Sequence, residues 1–306
     1  MTSIPVIFCF DDRILLGAGV SILSMLDHAA ESTEYDIRIL HPGLNDSIQQ
    51  SLLKLVAETR HSMQFHEIPS SRFDGVPKNR GSWTEIVYYR LLASEFLPDC
   101  DKALYSDVDV FFKRDMAEVF NIDLSQHEWA GVVAEANRPD NTMHRYFPEN
   151  PKSVIHFSGF MVMNLQAMRE NGAVARYFET IETVGDRLKF FDLDLLNIAT
   201  PSIAPVPFDY VVLEDIYETE DLASAKEFGF LSSVYSKEAL QASRDAPAII
   251  HYAGPRGKPW QRQSMPDYYR AVVNRLPKQL QKRTFRDWRK TWLSKKGWRK
   301  FPVRTK

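Results

Sequence analysis

The feature that most constrains this chain is a short apolar strand that runs directly into two carboxylates. Ala103, Leu104 and Tyr105 read as a buried strand, set off upstream by the Pro98-Asp99 breaker. Asp107 and Asp109 follow at i and i+2, and Val110, Phe111 and Phe112 then resume the apolar run. In extended backbone that spacing puts both acids on one side and Val108 on the other, pointing into protein. Two acids beside a core strand repel each other, so burying them is costly unless a cation compensates. An oxygen-rich site of this kind suits a hard divalent ion such as Mn²⁺ or Mg²⁺. An isolated Asp-x-Asp can also mark a solvated turn. A second stretch weighs against that alternative. Ala248, Ile249 and Ile250 form another apolar run, which ends on His251-Tyr-Ala-Gly-Pro-Arg-Gly-Lys-Pro-Trp260. It offers an imidazole, glycines that admit a ligand close to the backbone, the cation Lys258 and an aromatic ring. Asp107, Asp109 and His251 as metal ligands, with Lys258 seeking phosphate, make a metal–diphosphate site.

The rest of the chain supplies a scaffold for such a site. Ile4 to Phe10 reads as a buried first strand; Asp11 and Asp12 follow it, and Gly17 and Gly19 lead into a helix carrying Val20, Ile22, Leu23 and Leu26. That strand–loop–helix order opens a nucleotide-binding α/β unit. Asp36 to Leu40 and Met63 to Ile68 read as further strands, with a helix capped by Asn45 between them. Thr84 to Phe96 reads as a helix in which Arg90 is either a snorkelling surface residue or a site residue. Trp129 to Ala134 is a strand delivering Glu135 at its end, and Ser158-Gly159 opens another. The stretch 69–82 reads as a surface loop near the site, and 137–152 as a loop long enough to be a lid or acceptor-binding segment. Asp192 can cap the helix it begins. Residues 209–247 suggest no role. Strands alternating with helices predict a mainly parallel sheet covered on both faces.

These motifs together resemble glycosyltransferase family 8, the retaining, nucleotide-sugar-dependent transferases that include bacterial lipopolysaccharide galactosyl- and glucosyltransferases and the glycogenins. The resemblance covers nearly the whole chain. It implies an α/β fold of the glycosyltransferase-A type, a UDP-sugar donor, a saccharide or glycolipid acceptor, and Mn²⁺ or Mg²⁺ held by Asp107, Asp109 and His251. It implies that Asp11 and Asp12 meet the base and ribose. Arg90, Glu135 and Asp192 fall on its catalytic side, and Val108, Ser158, Gly159, Gly254 and Lys258 on its nucleotide–sugar side. The chain departs from the family pattern at four places. Arg13 and Ile14 stand where an Asn and an aromatic are usual, and Phe157 replaces the Asn that touches the sugar. Leu193 replaces the Gln beside the anomeric carbon, and Lys258 follows His251 by seven residues rather than six, as though Gly257 were inserted. Phe157 and Leu193 imply a drier donor pocket. They also motivate a non-catalytic, UDP-sugar-binding alternative. A haloacid-dehalogenase-type phosphatase, which also places Asp-x-Asp after a strand, is a third reading.

Charge is distributed unevenly. Of 38 Lys and Arg against 40 Asp and Glu, twelve basic residues and a single acid, Asp287, fall after Arg275. We therefore expect a catalytic domain over 1–275 and a basic tail over 276–306. Phe285, Trp288 and Trp292 follow one face of a helix expected to start near Pro277, among Lys282, Arg286, Arg289, Lys290, Lys295 and Lys296, with Trp298 and Phe301 beyond. Basic charge with interfacial tryptophans predicts association with an anionic membrane surface, and the acidic body argues against a nucleic-acid partner. Two cysteines, no apolar run of membrane-spanning length and no signal-like N-terminus predict a cytoplasmic protein at the inner face of the membrane.

Overall fold

The computed structural model describes residues 2–77, 84–140 and 146–295. The strands of its larger sheet are β1 (Thr2–Cys9), β2 (Thr33–His41), β3 (Ser62–Glu67), β4 (Lys102–Ser106), β6 (Trp129–Ala136), β7 (Val154–Asn164) and β8 (Ile203–Val206). Across the sheet they stand in the order β3-β2-β1-β4-β7-β6-β8. A smaller sheet is built from β5 (Val110–Phe112), β9 (Val212–Leu213) and β10 (Ile249–His251), in the order β5-β10-β9. Within the large sheet only β7 runs against its neighbours, pairing antiparallel with β4 and β6; the other pairings are parallel. The expected mixed, mainly parallel sheet is what forms.

Period-two alternation explains why both faces are covered. In β1, Ile4, Val6 and Phe8 join one hydrophobic core, with α1 (Leu15–Asp27) and α2 (Asp46–Leu53) on that side. Ile7 and Cys9 join the opposite core, with Tyr177, Leu195 and Leu196 of the helices Ala173–Val184 and Asp192–Ala199. Cys9 and Cys100 are buried free thiols. The chain first moves outward from β1 to β2 and β3, then returns to place β4 on the other side of β1. The carboxyl ends of β1 and β4 therefore lie side by side at the point where the strand order reverses, which is where open α/β sheets bind ligands. Phe8 pairs with Ser106, so Asp11 and Asp107 leave the sheet at the same edge.

Several local expectations are corrected. Thr84 to Phe96 is not one α-helix: a 3₁₀ helix, Glu85–Leu92, runs into a short α-helical turn, Ala93–Phe96. The run Ile86-Val87-Tyr88-Tyr89 is β-branched and aromatic, a poor α-helix former. Its tighter winding keeps Tyr88, Tyr89 and Arg90 all buried. Ser158 and Gly159 lie inside the long strand β7 rather than at its start, and Glu135 lies inside β6. The tail helix begins at Phe285, not near Pro277. The stretch before it is held to the body, because Leu276 and Leu280 are buried in the core beside α1. Parts of the two long loops, 78–82 and 141–145, and the tail residues Lys296, Trp298 and Phe301 lie outside the described residues.

Candidate active site

Asp107 and Asp109 occupy the bend between β4 and β5, and His251 ends β10. Each strand is fixed to the rest of the sheet independently. The Asp107 amide donates to the Gly159 carbonyl of β7 at 2.8 Å, and His251 pairs with Val110. Ser21 of α1 donates to the carbonyls of Val108 (2.9 Å) and Val110 (2.8 Å), which holds the bend down onto the helix. Val108 itself is buried in the core, as expected. One ligand atom from each of Asp107, Asp109 and His251 lies within 4.8 Å of the other two. The His251 Nε2 is 3.2 Å from Asp109 Oδ1 and 3.6 Å from Asp107 Oδ2.

Two glycines make this convergence possible. A Cβ on Gly159 would sit 2.5 Å from the His251 ring and 3.0 Å from Asp107 Oδ2. A Cβ on Gly17 would meet the Trp260 ring at 2.6 Å and the Val108 carbonyl at 2.8 Å. Two carboxylates and an imidazole nitrogen, gathered around a cradle that any side chain at 159 would fill, fit a hard divalent ion.

On the opposite side of Asp107 stands Arg90, which is buried and not at the surface. Its guanidinium donates to Asp107 Oδ1 at 2.8 Å and to the Ser158 carbonyl at 2.6 Å, pairs with Asp192 Oδ2 at 3.3 Å, and stacks 4.1 Å over the Tyr105 ring. Burial opposes its charge, but Asp107 and Asp192 more than compensate, so its pKa is raised. Tyr105 also donates to Asp107 Oδ1, at 2.7 Å.

Asp192 does not act as a helix cap. The cap position is Phe191, and it is Asp194 that reaches back to the amides of Lys189 and Phe190. Asp192 instead accepts a hydrogen bond from Ser158 Oγ at 3.0 Å. Burial pushes its carboxyl up to about 6; Arg90 offsets part of this and the Asp107 charge adds to it. Asp109 behaves oppositely. Burial would raise its pKa, but Lys258 and His251 hold it well below the ordinary carboxylate range.

Lys258 reaches the same centre from the loop after β10. Its ammonium contacts Asp109 and donates to the Tyr252 carbonyl at 2.9 Å. Gly257 has φ +73°, a left-handed conformation that favours glycine, and so absorbs the extra residue between His251 and Lys258. Gly254 is the point at which this loop meets Glu227. Residues 209–247, which suggest no role in sequence, thus contribute Glu214, Asp215 and Glu227 to the surroundings of the loop that carries Lys258. Acids directly after an apolar strand, with Arg256 and Arg262 on either side of Lys258, were the available signal.

The remaining expectations divide. Asp11 caps the 3₁₀ helix Asp12–Ile14, accepting from the Arg13 amide at 2.9 Å and pairing with the Arg13 guanidinium. Asp12 lines a cavity with Asn45, Gln279, Lys282 and Thr284, so the segment leading to the tail forms one wall beside the end of β1. Glu135 is fully buried opposite Ile155, which precedes the Gly159 cradle in β7, and the structure does not bring it to the Asp107–Asp109–His251 group. Phe157 packs edge-on against Phe230 in the core, and Leu193 is half-buried.

A mixed, mainly parallel sheet with an acid pair, a histidine and a lysine gathered at its switch point is an α/β fold of the glycosyltransferase-A type, and comparison with known proteins agrees. Residues 5–264 match glycosyl transferase family 8. The chain belongs to this family and is a glycosyltransferase. It is 24% identical to a lipopolysaccharide 1,2-glucosyltransferase of Escherichia coli, over 87% of this chain and 77% of that protein. It is also 24% identical to a lipopolysaccharide 1,3-galactosyltransferase of Salmonella typhimurium, over 82% and 71% respectively. The fold matches that of the galactosyltransferase LgtC, solved in complex with donor and acceptor sugar analogs. That match has a TM-score of 0.71 at 19% identity, covering 89% of this chain and 94% of that one. The phosphatase reading gives way to this membership.

Proposed function

We propose that the protein transfers a hexose from a UDP-sugar to a saccharide acceptor of the cell surface, a lipopolysaccharide or related glycan, with retention at the anomeric carbon. The observation that carries this is the Asp107–Asp109–His251 group gathered around Gly159 with Lys258 beside it. These three side chains would hold Mn²⁺ or Mg²⁺, which when bound supplies positive charge to the departing diphosphate. Lys258 supplies a second cation to the same phosphates, a form of leaving-group stabilisation that works best in a water-poor site. Arg90 fixes Asp107 and Asp192 relative to each other. Asp192, partly protonated near pH 6, presents a carboxyl held by Ser158 and Arg90 towards the sugar. Asp11 and Asp12, at the end of β1, face the nucleoside. The test is UDP release over a panel of UDP-sugars, with and without Mn²⁺ or Mg²⁺. Metal-dependent turnover with at least one hexose donor supports the reading. Full activity in EDTA overturns the metal assignment, and binding without turnover across a broad panel favours the non-catalytic alternative.

A second observation favours a membrane-surface location for this activity. In the helix Phe285–Lys295, Phe285, Trp288 and Trp292 are 85%, 58% and 53% exposed, whereas Asp287 and Thr291 are buried. The polar face is the one that docks, with Gln261 donating to Asp287 and accepting from Lys290, both at 2.8 Å. The aromatic face is left outward among basic residues, as in helices that lie in a bilayer interface. We infer that the tail rests on anionic lipid at the inner face of the membrane, where a glycolipid acceptor would be presented; no helix among the described residues is long and apolar enough to cross it. Because Leu276 and Leu280 belong to the core, the test replaces Phe285, Trp288 and Trp292 with Ser rather than cutting the chain at Arg275. Cosedimentation with phosphatidylglycerol-containing vesicles at low salt should fall at least about tenfold, each aromatic burying ample apolar area. Equal sedimentation of both proteins overturns the reading.

A further inference from the structure

The loop that carries Lys258 is held by a cluster of buried charges from the segment after β9. The Arg256 Nε pairs with Asp215 Oδ1 at 2.7 Å, and its NH2 group donates to Thr219 Oγ1 at 2.9 Å. Asp215 also accepts from the Lys226 amide at 2.8 Å. Arg262 forms a fork on Glu214, 2.7 Å through one nitrogen, and donates to the Arg256 carbonyl at 3.1 Å and to the Gly257 carbonyl. Glu227 stands directly against the loop: a Cβ on Gly254 would lie 2.4 Å from its Oε1. Its Oε2 is buried with no hydrogen-bond partner among the described residues. Glu214 and Arg262 balance. Asp215 takes Arg256, and Glu227 is then a second acid in a site with one guanidinium.

We propose that Glu227 is a positioning residue, which with Asp215, Arg256 and Arg262 latches residues 254–258 to the body and so sets where Lys258 reaches. The groups facing Glu227 are Asp215, from the helix Glu214–Glu218, and Arg256, from the loop itself. An acid pair that shares a proton beside one arginine is neutral overall and holds the loop. Ionising Glu227 leaves an unmatched buried charge, which pushes its neighbours apart. Burial, the hydrogen bond with Asp215 and the charge of Asp215 hold the Glu227 carboxyl up at about 8, so the latch is closed at neutral pH and opens in mild alkali. The consequence for the donor rests on the reading of Lys258 as a diphosphate cation; the latch itself does not.

The experiment uses the full chain with Glu227→Gln, which keeps the shape of the protonated acid, Glu227→Ala and Gly254→Ala. Backbone hydrogen exchange over residues 252–262, corrected for intrinsic rate, is followed from pH 6 to 9 without donor. In the parent protein, protection of this loop should fall at least tenfold as pH passes about 8. Glu227→Gln should stay protected throughout, and Glu227→Ala and Gly254→Ala should be unprotected at every pH. With a UDP-sugar, Glu227→Ala should raise donor KM about tenfold while moving kcat less, and Gln should rescue it. Loop protection in Glu227→Ala equal to the parent's overturns the latch, as does an unchanged pH profile in Glu227→Gln. The predicted exchange pattern in a protein that turns over no UDP-sugar would overturn the proposed UDP-sugar transfer and leave the latch standing.

Discussion

Asp109 and Asp192 are carboxylates in one site, both largely shielded from water, and they hold protons with opposite strength. Asp109 pairs with Lys258 and lies beside His251, which it shares with Asp107, and is depressed; Asp192 shares Arg90 with Asp107 and is pushed up to about 6. Their burial is similar, with side chains 13% and 8% exposed. Desolvation alone would therefore raise both. What separates them is the count of cations within reach, which decides whether the electrostatic gain exceeds the cost of leaving water. One carboxylate is thereby fitted to remain an anion for a metal, the other to hold or release a proton near neutrality.

The comparison can be broken most forcefully at Asp109. Asp109→Asn should lower transfer by about 1,000-fold, since a metal ligand and its charge stabilisation go together. It should also abolish divalent-dependent UDP binding, measured by calorimetry, and lower the melting temperature at pH 7, because the carboxylate that Lys258 and His251 stabilise is gone. A variant that still binds UDP in a metal-dependent way would show that Asp109 is not a ligand.

Removing the cation on the other side is the next largest effect. Arg90→Met leaves Asp107 and Asp192 without their shared partner and should cost about 3–5 kcal/mol in urea unfolding. Adding Asp192→Asn to it should restore part of that loss. If the double variant is no more stable than Arg90→Met, Arg90 is not balancing the pair.

Asp192→Asn alone should reduce transfer about 100-fold, the scale of a lost acid–base or sugar-positioning group. Its stability should move the other way. The folded protein binds the Asp192 proton more tightly than the unfolded chain does, so this group's contribution is complete below the ordinary carboxylate pKa of 3.8 and is lost as pH rises to about 6. The variant should flatten that stretch of the stability profile and melt higher at pH 7. A profile parallel to the parent's would show that Asp192 is not raised.

The smallest change sharpens the same point. Ser158→Ala removes one hydrogen bond from the Asp192 carboxylate, worth about 1 kcal/mol, and should move the acid limb of the pH–rate profile upward by under about one unit. A downward move would mean that Ser158 favours the protonated form instead.

The alternation of strands with helices, and the apolar strands ending on Asp107 and His251, were sufficient to read the layered α/β architecture and to single out Asp107, Asp109 and His251, which the fold brings together. Both signals are local: side-chain direction comes from backbone period, and a strand carries the residues beyond its carboxyl end to the edge of the sheet. The family resemblance placed Arg90, Asp192 and Lys258 at the site, and Gly257 could be read as the residue that absorbs an insertion.

Other properties depend on segments far apart in sequence. Whether Arg90 is a surface or a buried residue depends on a 3₁₀ segment packing against Tyr105 and Ser158. The burial of Glu135 depends on the register of β6 against β7. The role of Asp215 and Glu227 depends on their meeting Arg256 and Gly254 across the fold, and the outward aromatic face of the tail depends on Gln261 claiming Asp287 and Lys290. The sequence determined which residues could ionise and along which strands they would travel. Only the tertiary structure decided how many cations each acid would share and how much water each would lose, because those quantities are sums over neighbours that periodicity does not encode.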